Sequence, residues 1–350
     1  MLFTILFTKN QQIINEKYIY FKMSLLITGI HGFIGTNLVS AFKDYYSIYG
    51  LDIVSQEIEG VIKTYSWNEL DELPDFESII HLAGKSHDVK NKSEVQSYFD
   101  INTGLSQKIF DYFYQSKAKH FIFFSSVKAA ADAVEGDLLT ENILPKPVGP
   151  YGESKLAAEN YIQHYIEKGN HINSQISNII TKKSSIHSQL KKVYIFRPCM
   201  IHGPGNKGNL NLLYNLVNKG FPWPLGAFDN KRSFLNIQNL SYIVKQFLVQ
   251  NPESGVYHLA DDDPISTNEL IELMASSRNR KVRVWKLNRS FITSIAKIGS
   301  VCKLPFNTER LRKLTENYVV SNQKMKQAIG IERLPVEVKE GLIQTLKTFE

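Results

Sequence analysis

Short apolar runs alternate with longer amphipathic segments in the N-terminal half of the chain, and this alternation limits the fold more than any other feature. Five runs have the length and composition of strands that are buried on both faces. They lie at 25–27, 48–54, 78–83, 121–124 and 193–196. Segments with helical periodicity separate them, and these lie at 33–42, 93–115 and 152–166. We therefore predict the α/β class, with a doubly wound parallel sheet covered by helices on both faces.

The size and composition of the chain favour one large domain or two coupled ones. A chain of 350 residues with 43% hydrophobic side chains can bury a sizeable core. Beyond residue 198 the pattern loosens, and Gly and Pro become frequent. We predict a sheet domain over 23–198, to which later segments return, and a smaller mixed α/β domain over 199–350. Residues 1–22, which precede Met23 and the first strand, are predicted to be an extension outside the fold.

Several classes of protein are excluded by what the sequence lacks. No run of about 18 apolar residues occurs, so we expect no membrane-spanning helix. The apolar stretch at 2–7 is too short for a signal peptide and has no basic leader. Two cysteines, Cys199 and Cys302, cannot form a disulfide framework and show no metal-ligand spacing. We expect a reducing, cytoplasmic location and no bound metal.

The positive charge of the chain is concentrated in one segment. The formal net charge is +7, yet residues 278–313 alone hold eleven Lys and Arg and a single acid, Glu309. Phe291, Ile292, Ile295 and Ile298 repeat at helical spacing within it. A solvated basic face, a phosphate-bearing ligand and an acidic lipid surface all agree with this pattern. No nucleic-acid recognition motif accompanies the charge. A second basic stretch, 168–192, is interpreted as a surface insertion.

The first chemical motif is TGIHGFIG at 28–35, which lies between a predicted strand and a predicted helix. Glycines at 29, 32 and 35 allow the backbone to approach a dinucleotide pyrophosphate closely. The helix that begins near Phe33 and Ile34 supplies free N–H groups and a positive dipole end. We predict that Gly29, Gly32, Phe33, Ile34 and Gly35 bind the phosphates.

Asp52 ends the second predicted strand, 17 residues after Gly35. An acidic side chain at about this spacing binds the adenosine ribose hydroxyls of NAD and repels the additional phosphate of NADP. We therefore predict NAD as the cofactor, with NADP disfavoured. The alternative is an Asp that only begins a turn.

Three residues carry the predicted chemistry. Tyr151 and Lys155 are four apart in YGESK at the start of a helix, so both project from one face. An ammonium near a phenol is expected to lower the phenol pKa towards the working pH, which makes Tyr151 a usable proton acceptor or donor. Ser126 follows a buried strand, where its hydroxyl can hold the reacting oxygen over the carboxyl edge of the sheet.

These motifs together resemble the extended short-chain dehydrogenase/reductases, specifically their NAD-dependent nucleotide-sugar epimerases and dehydratases. The resemblance is carried by TGIHGFIG, Asp52, HLAG at 81–84, DINTG around Asn102, Ser126, YGESK and RPCMIHGPG at 197–205. Within the group, SSVKA and GPGNKGNL look most like bacterial surface-polysaccharide enzymes related to UDP-glucose 4-epimerase.

The resemblance implies a role for each matching position. Ser126, Tyr151 and Lys155 would form the catalytic triad. The nicotinamide end of the cofactor would be bound by Ala83, Lys85, Asn102, Pro198, Tyr151 and Lys155.

The resemblance also implies a Rossmann fold and a homodimer formed through the helices at 93–115 and 152–166. The implied partner is a nucleotide sugar, and no nucleic acid is implied.

Substrate contacts are implied less directly. Arg232 in KRSFLNIQNL matches the arginine that clamps substrate phosphates, a task suited to its planar fork. A surface arginine in a turn is the alternative. We further predict that Ser126, Lys128, His202 and Asn209 face the sugar. Two positions depart from the family pattern: His202 replaces the usual tyrosine, and Val127-Lys128 replace the usual small and hydroxyl residues. These departures leave the sugar specificity open. For His202, packing alone is the alternative role.

The resemblance implies hydride transfer at C4 of the sugar, but it leaves the net reaction open. A 4-epimerase of a UDP-hexose or UDP-N-acetylhexosamine is favoured over an NAD(P)H-dependent C4 reductase of a UDP-4-keto-6-deoxy sugar. Both reactions use the same residues. A non-catalytic cofactor-binding regulator is a more remote alternative. Such proteins commonly lose the tyrosine or the lysine, whereas this chain retains both Tyr151 and Lys155.

Overall fold

The computed structural model of the protein describes residues 22–86, 94–179, 191–206 and 208–349, with the side chains of 168–179 and Asn209 excepted. The predicted extension at 1–22 lies outside the described residues except for Lys22, and of the basic insertion at 168–192 the structure describes the helical backbone of 168–179 and residues 191–192. The strands are β1 (Met23–Thr28), β2 (Tyr46–Leu51), β3 (Val61–Tyr65), β4 (Ser78–His81), β5 (His120–Phe124), β6 (Lys192–Pro198), β7 (Met200–His202), β8 (Lys231–Arg232), β9 (Phe234–Asn236), β10 (Gly255–Leu259) and β11 (Ile265–Ser266).

Twelve α-helices are found in the described residues. They are α1 (Phe33–Phe42), α2 (Val95–Tyr98), α3 (Leu105–Gln115), α4 (Val127–Ala130), α5 (Pro150–Ile179), α6 (Asn209–Asn218), α7 (Ile237–Gln250), α8 (Thr267–Ser276), α9 (Arg289–Val301), α10 (Thr308–Thr315), α11 (Gln323–Ala328) and α12 (Val338–Lys347). A π-helical turn, Phe99–Gly104, joins α2 to α3, and a 3₁₀ helix spans Trp67–Glu72.

Seven parallel strands form one sheet in the order β10-β6-β5-β4-β1-β2-β3. The predicted doubly wound α/β fold is confirmed, with β4 at the centre of the sheet and β1 beside it. All five predicted strand segments belong to this sheet, whereas β3 and β10, at its two edges, were not predicted. β10 is the later segment that returns to the sheet. The chain adds β2 and β3 on one side of β1 and then β4 on the other side, so the strand order reverses between β1 and β4. Open parallel sheets bind their ligands at such a point.

The sheet is buried on both faces, which explains its continuous apolar strands. In β5 the side chains of Phe121 and Phe123 pack on one face with α3 and α5. Ile122 and Phe124 pack on the opposite face with α1 and α7. Each such fully buried side chain contributes about 1.5–3 kcal/mol relative to an exposed one.

A third apolar cluster lies in the C-terminal half and is separate from the two clusters on the sheet. Its buried members come mainly from α6, α8, α9 and α12, and they include Tyr214, Met274, Ile292 and Leu342. This lobe, which follows β6 in the chain, also contains the short pairs β7-β9 and β8-β11. Within the described part of the chain, no helix combines the length and apolarity needed to cross a bilayer.

Candidate active site

The candidate site lies at the carboxyl edge of the sheet, where four neighbouring strands end. β1 ends at Thr28, β4 at His81, β5 at Phe124 and β6 at Pro198. The loops that follow β1, β4 and β5 hold the predicted glycine turn, Ala83 with Lys85, and Ser126. Parallel strands direct all these loops to the same side of the sheet, so the topology brings together residues that are far apart in the sequence.

The glycine turn after β1 has the geometry that an anion site requires. Gly29 has φ of +67°, and a Cβ there would lie 2.8 Å from the backbone N and Cα of Ala83. Gly32 is the N-cap of α1, where no side chain caps the helix and no acidic residue occupies the first turn. The N–H groups of Phe33, Ile34 and Gly35 belong to this uncapped first turn. The turn therefore fits a dinucleotide pyrophosphate.

Asp52 follows β2, and its carboxylate is already engaged by a neighbouring histidine. Oδ2 accepts from the backbone N–H of His31 at 3.0 Å and lies 3.1 Å from the His31 Nδ1. Oδ1 accepts from the N–H of Ile53 at 2.7 Å. His31, the variable residue of TGIHGFIG, was not predicted to take part in the site. It fixes the carboxylate beside the glycine turn.

A polar network connects the loop after β4 to α5. The N–H of Ala83 donates to the Thr28 hydroxyl at 3.1 Å, and the N–H of Lys85 donates to Asn102 Oδ1 at 2.7 Å. Asn102, which is fully buried in the π-helical turn, also donates to Ser154 Oγ at 3.0 Å. π-turns are frequent at functional sites. Lys85 Nζ donates to Ser97 Oγ at 2.8 Å.

Gly84 in HLAG keeps this network close to the predicted catalytic lysine. A Cβ on Gly84 would lie 2.9 Å from Asn102 Oδ1 and 3.0 Å from Lys155 Nζ. Only a residue without a side chain allows both groups to approach the loop so closely. The conformation of the loop thus places Ala83, Lys85 and Asn102 around Lys155.

Tyr151 and Ser126 face each other at the sheet edge. Pro150 and Tyr151 begin α5, and proline is favoured at the first position of a helix. Ser126 is the N-cap of α4, and its Oγ accepts from the N–H of Lys128 at 3.2 Å. Burial raises the pKa of Tyr151, while a hydrogen bond with the Ser126 hydroxyl opposes that rise. The two hydroxyls thus meet where the sequence predicted a shared reacting oxygen.

Lys155 is buried, and its ammonium is directed at the end of β5. Nζ donates to the carbonyl of Phe124 at 2.8 Å and lies 5.1 Å from the centre of the Phe123 ring. Burial lowers the pKa of Lys155 to about 8, with the nearby Glu159 carboxylate acting in the opposite direction. The expected lowering of the Tyr151 pKa is not found. Loss of solvation is the largest influence on the phenol there.

A buried ion pair beneath the triad was missed by the sequence analysis. Arg197 on β6 makes a bidentate contact with Glu159 on α5, with N–O distances of 2.5 to 3.1 Å. Ser125 Oγ also donates to Glu159. Both charged side chains are almost fully buried. The signal was present, because Glu159 follows Lys155 by one helical turn and Arg197 directly precedes Pro198.

His81 at the end of β4 forms a second buried connection. Its Nδ1 lies 2.6 Å from the Thr28 hydroxyl and its Nε2 lies 2.9 Å from Ser106 Oγ. Burial, together with the charge of Lys155, holds the pKa of His81 well below its usual value. The neutral imidazole therefore links β1, β4 and α3 beneath the glycine turn.

Lys128 and Arg232, two of the predicted substrate contacts, belong to one charged cluster. Lys128 Nζ lies 3.0 Å from Asp132 Oδ1, and Arg232 Nη2 lies 3.7 Å from Glu316 Oε1. Arg312 joins these pairs, because it contacts Asp132 at 3.0 Å and Glu316 at 3.2 Å. Three cations against two carboxylates leave a net positive cluster between α4 and the C-terminal lobe.

The remaining predicted contacts are placed differently. His202 is fully buried, its Nδ1 lies 2.8 Å from Thr345 Oγ1, and its Nε2 lies 3.8 Å from Asp261 Oδ2. The predicted sugar contact of His202 is therefore corrected to a packing role within the C-terminal lobe. Pro198 is buried at the end of β6. Asn209 begins α6, and its side chain lies outside the described residues.

Comparisons with known proteins agree with this arrangement. UDP-glucose 4-epimerase of Vibrio cholerae is 28% identical over 346 residues, which cover 93% of this chain and 95% of the relative. N-acetyl-alpha-D-glucosaminyl-diphospho-ditrans,octacis-undecaprenol 4-epimerase of Escherichia coli O157:H7 is 25% identical, with coverages of 93% and 94%. The crystal structure of UDP-N-acetylglucosamine 4-epimerase from Bacillus cereus has the same fold, with a TM-score of 0.67, 18% identity and coverages of 93% and 98%.

A family-level comparison gives the assignment. The model of the NAD dependent epimerase/dehydratase family matches residues 25–260, which include the glycine turn, the triad and Arg232. The matched region spans the whole seven-stranded sheet from β1 to β10. The chain therefore belongs to the NAD dependent epimerase/dehydratase family, as its motifs predicted.

Proposed function

We propose that the protein is an NAD-dependent 4-epimerase whose substrate is a UDP-hexose or a UDP-N-acetylhexosamine. The observation that carries the proposal is the hydrogen bond between Ser126 and Tyr151 at the sheet edge, with Lys155 buried one helical turn away. Two 4-epimerases, matched over nearly their whole length, support it.

Tyr151 is the group that moves the proton. As a phenolate it accepts the proton of the sugar 4-hydroxyl, and as a phenol it later returns that proton to the 4-keto oxygen. Ser126 donates a hydrogen bond to the same oxygen and holds it in place. Bound NAD would supply the hydride acceptor in the first half and the donor in the second. The 4-keto sugar presents its other face in between, so the net reaction is inversion without redox change.

Lys155 favours the deprotonation of Tyr151 to the phenolate. Because burial raises the pKa of Tyr151, proton abstraction needs a positive charge close to the phenol oxygen. With a pKa of about 8, Lys155 is mostly an ammonium at neutral pH. We propose that this ammonium stabilises the phenolate while the Ser126 hydroxyl donates to the sugar oxygen.

The choice of NAD over NADP is proposed on the position of Asp52. Its carboxylate lies beside the glycine turn and accepts from the backbone N–H groups of His31 and Ile53. An ionised carboxylate binds ribose hydroxyls and repels a ribose phosphate. Pairing with His31 keeps that carboxylate in place without removing it from the turn.

Two variations of the proposal use the same residues. The E. coli relative is named for a sugar on an undecaprenyl diphosphate, so a lipid-linked diphosphate sugar is a second candidate substrate. A C4 reductase of a UDP-4-keto-6-deoxy sugar requires only the second half of the reaction. A homodimer formed through α3 and α5, and a cytoplasmic location, remain predictions.

The test is to incubate the purified protein separately with UDP-glucose, UDP-N-acetylglucosamine, N-acetylglucosaminyl diphosphoundecaprenol and a UDP-4-keto-6-deoxy sugar. Products and NADH absorbance are followed together. Inversion at C4 without added cofactor supports the epimerase. The substrate that is converted shows whether the sugar must be linked to UDP or to diphosphoundecaprenol. Stoichiometric loss of NAD(P)H with the keto sugar would replace it with the reductase. Bound cofactor without conversion of any substrate would favour the regulator.

A further inference from the structure

We propose that α9 and α10, termed here the basic hairpin (residues 289–315), bind the surface of an anionic lipid bilayer. The two helices pack against each other. α9 has two apolar faces, of which only one is used by the protein. Ile292 and Ala296 on the first face are buried in the C-terminal cluster. Gly299 belongs to that face too, since a Cβ there would overlap the carbonyl of Phe306.

The second face of α9 is apolar and exposed. Phe291, Ile295 and Ile298 repeat at helical spacing with 58%, 40% and 61% of their surface exposed. Val301 at the end of the helix is 84% exposed, and Leu304 in the turn is 51% exposed. Single exposed apolar residues are ordinary, but a continuous row along one helix marks an interaction surface.

The same hairpin carries exposed cations that have no ion pair among the described residues. Lys297, Lys303 and Arg310 are exposed, and none of them makes an ion pair with any residue that the structure describes. The single acid of residues 278–313, Glu309, is paired with Lys313 at 2.7 Å. The hairpin therefore presents exposed apolar side chains together with a surplus of uncompensated cations.

A lipid surface is the occupant that complements both features. Apolar side chains can enter the boundary between headgroups and acyl chains, while neighbouring lysines and arginines meet anionic headgroups. A second copy of the hairpin would bring like charges together, which opposes self-association through this face. Nucleic acid would complement the charge but would leave the row of Phe291, Ile295 and Ile298 without an apolar partner.

The location of the hairpin connects the bilayer to the candidate site. Arg232, the predicted phosphate-binding residue, donates to the backbone carbonyl of Lys313 in α10 and contacts Glu316 directly after it. A bilayer bound at α9 thus lies against the helix pair that borders the charged cluster. Only this consequence, access to a sugar on a membrane-anchored diphosphate, rests on the proposed function, and there on its second candidate substrate. The binding itself does not.

The chain provides a reporter for the test. Cys302 is exposed at the end of α9, whereas Cys199 is buried, so a polarity-sensitive fluorophore can be attached at Cys302 in the full chain. The labelled protein is mixed with vesicles of equal parts phosphatidylglycerol and phosphatidylcholine, and with vesicles of phosphatidylcholine alone. We expect a blue shift and co-flotation with the anionic vesicles only. Both effects should weaken at high salt, because salt screens the attraction.

Matched variants separate the two parts of the surface. Phe291→Ser with Ile298→Ser should reduce the partition coefficient by at least about tenfold, because both side chains lose their buried apolar surface. Lys297→Gln with Lys303→Gln should reduce it by about fivefold for each charge removed. Val249→Ser on α7 removes a comparably exposed apolar side chain and Lys108→Gln an exposed lysine, and neither should change binding.

Several outcomes would overturn the proposal. These are the absence of binding to anionic vesicles at low salt, and binding that is insensitive to Phe291→Ser with Ile298→Ser. Another is self-association of the unaltered chain, seen by light scattering, that the same double variant abolishes, because a second copy would then cover the face. Tyr151→Phe should bind vesicles as the unaltered chain does, so failure of the proposed catalysis and failure of membrane binding are distinguishable.

Discussion

The sheet edge and the basic hairpin place their polar and apolar groups in opposite ways. At the sheet edge Asn102, Lys155 and Glu159 are buried, and each has a hydrogen-bonding or charged partner. On the hairpin, Ile298 and Lys297 are both exposed, and neither has a role within the fold that the structure describes. The first region uses its polar groups internally, whereas the second presents its groups outward.

This difference separates two sources of function. Buried polar groups are costly unless they are paired, so a site built from them is fixed in geometry and sensitive to each member. Exposed groups add little to stability, so they are free to serve contacts with other molecules. Substitutions at the sheet edge should therefore alter chemistry or folding strongly. Substitutions on the hairpin should leave both nearly unchanged and affect only vesicle binding.

The largest effect is expected for Tyr151→Phe. Loss of the hydroxyl removes the proton acceptor and should lower kcat by about 10²–10⁴-fold, with NAD affinity retained. Product formation by chromatography and NAD binding by fluorescence titration check this. Tyr161→Phe, on the same helix as Tyr151, removes a hydroxyl that donates to Asp111 on α3, and it should leave kcat close to the original value. Equal activity of the two variants would contradict the role given to Tyr151.

Glu159→Gln should produce the next largest effect, on stability. It leaves the buried Arg197 guanidinium without its counter-charge, and such a change costs about 3–5 kcal/mol. Urea unfolding followed by circular dichroism measures the loss. Glu59→Gln breaks an ion pair with Lys43 at the surface and should leave the unfolding midpoint where it was. A comparable shift of the unfolding midpoint for both variants would contradict the prediction that only the buried ion pair contributes strongly to stability.

Asp52→Asn should weaken NAD binding by about 10- to 100-fold, because a charge-assisted hydrogen bond to the ribose is lost. It should also narrow the preference for NAD over NADP, since the repulsive carboxylate is gone. Isothermal titration with both cofactors gives the two affinities. Asp75→Asn alters an exposed ion pair with Lys117 and serves as the control. An unchanged NAD to NADP ratio would show that Asp52 only shapes the turn.

Over a single pH unit, the pH dependence of kcat/KM gives the smallest effect. The pKa of Lys155 is lowered to about 8, so rising pH removes its ammonium charge near that value. Above it kcat/KM should fall by about tenfold per pH unit, since this parameter reports the groups of the free enzyme. The profile is measured with saturating NAD and low sugar concentration. A flat profile between neutral and strongly alkaline pH would show that the charge on Lys155 is not required.

Local patterns were sufficient to predict most of the sheet and to select Ser126, Tyr151 and Lys155, which the structure places at its carboxyl edge. Strands buried on both faces are recognisable as continuous apolar runs. The glycine turn and YGESK are recognisable from the spacing of their residues within a short segment. β3 was missed because it is an edge strand in which only Tyr65 is buried, so it lacks a continuous buried apolar run. β10 was missed because nothing local indicates that residues 255–259 pair with β6, from which they are separated by the C-terminal segments.

Contacts between distant segments explain the errors in the site. Glu159 and Arg197 meet only when α5 packs on the sheet, and His31 reaches Asp52 only when β1 and β2 are paired. His202 was given a sugar contact from its motif position. It is buried instead because Thr345, far along the chain, supplies its hydrogen-bond partner. Packing of this kind cannot be deduced from spacing in one sequence.

The fate of the hydrogen at C4 tests the account most directly. A UDP-sugar deuterated at C4, chosen as the one the protein converts, is incubated with it in ordinary water, and the product is analysed by mass spectrometry and NMR. We predict inversion at C4 with the deuterium retained on that carbon, because the hydride leaves and returns within one site while Tyr151 moves only the hydroxyl proton. Loss of deuterium to the solvent, or a product not inverted at C4, would contradict the proposed mechanism.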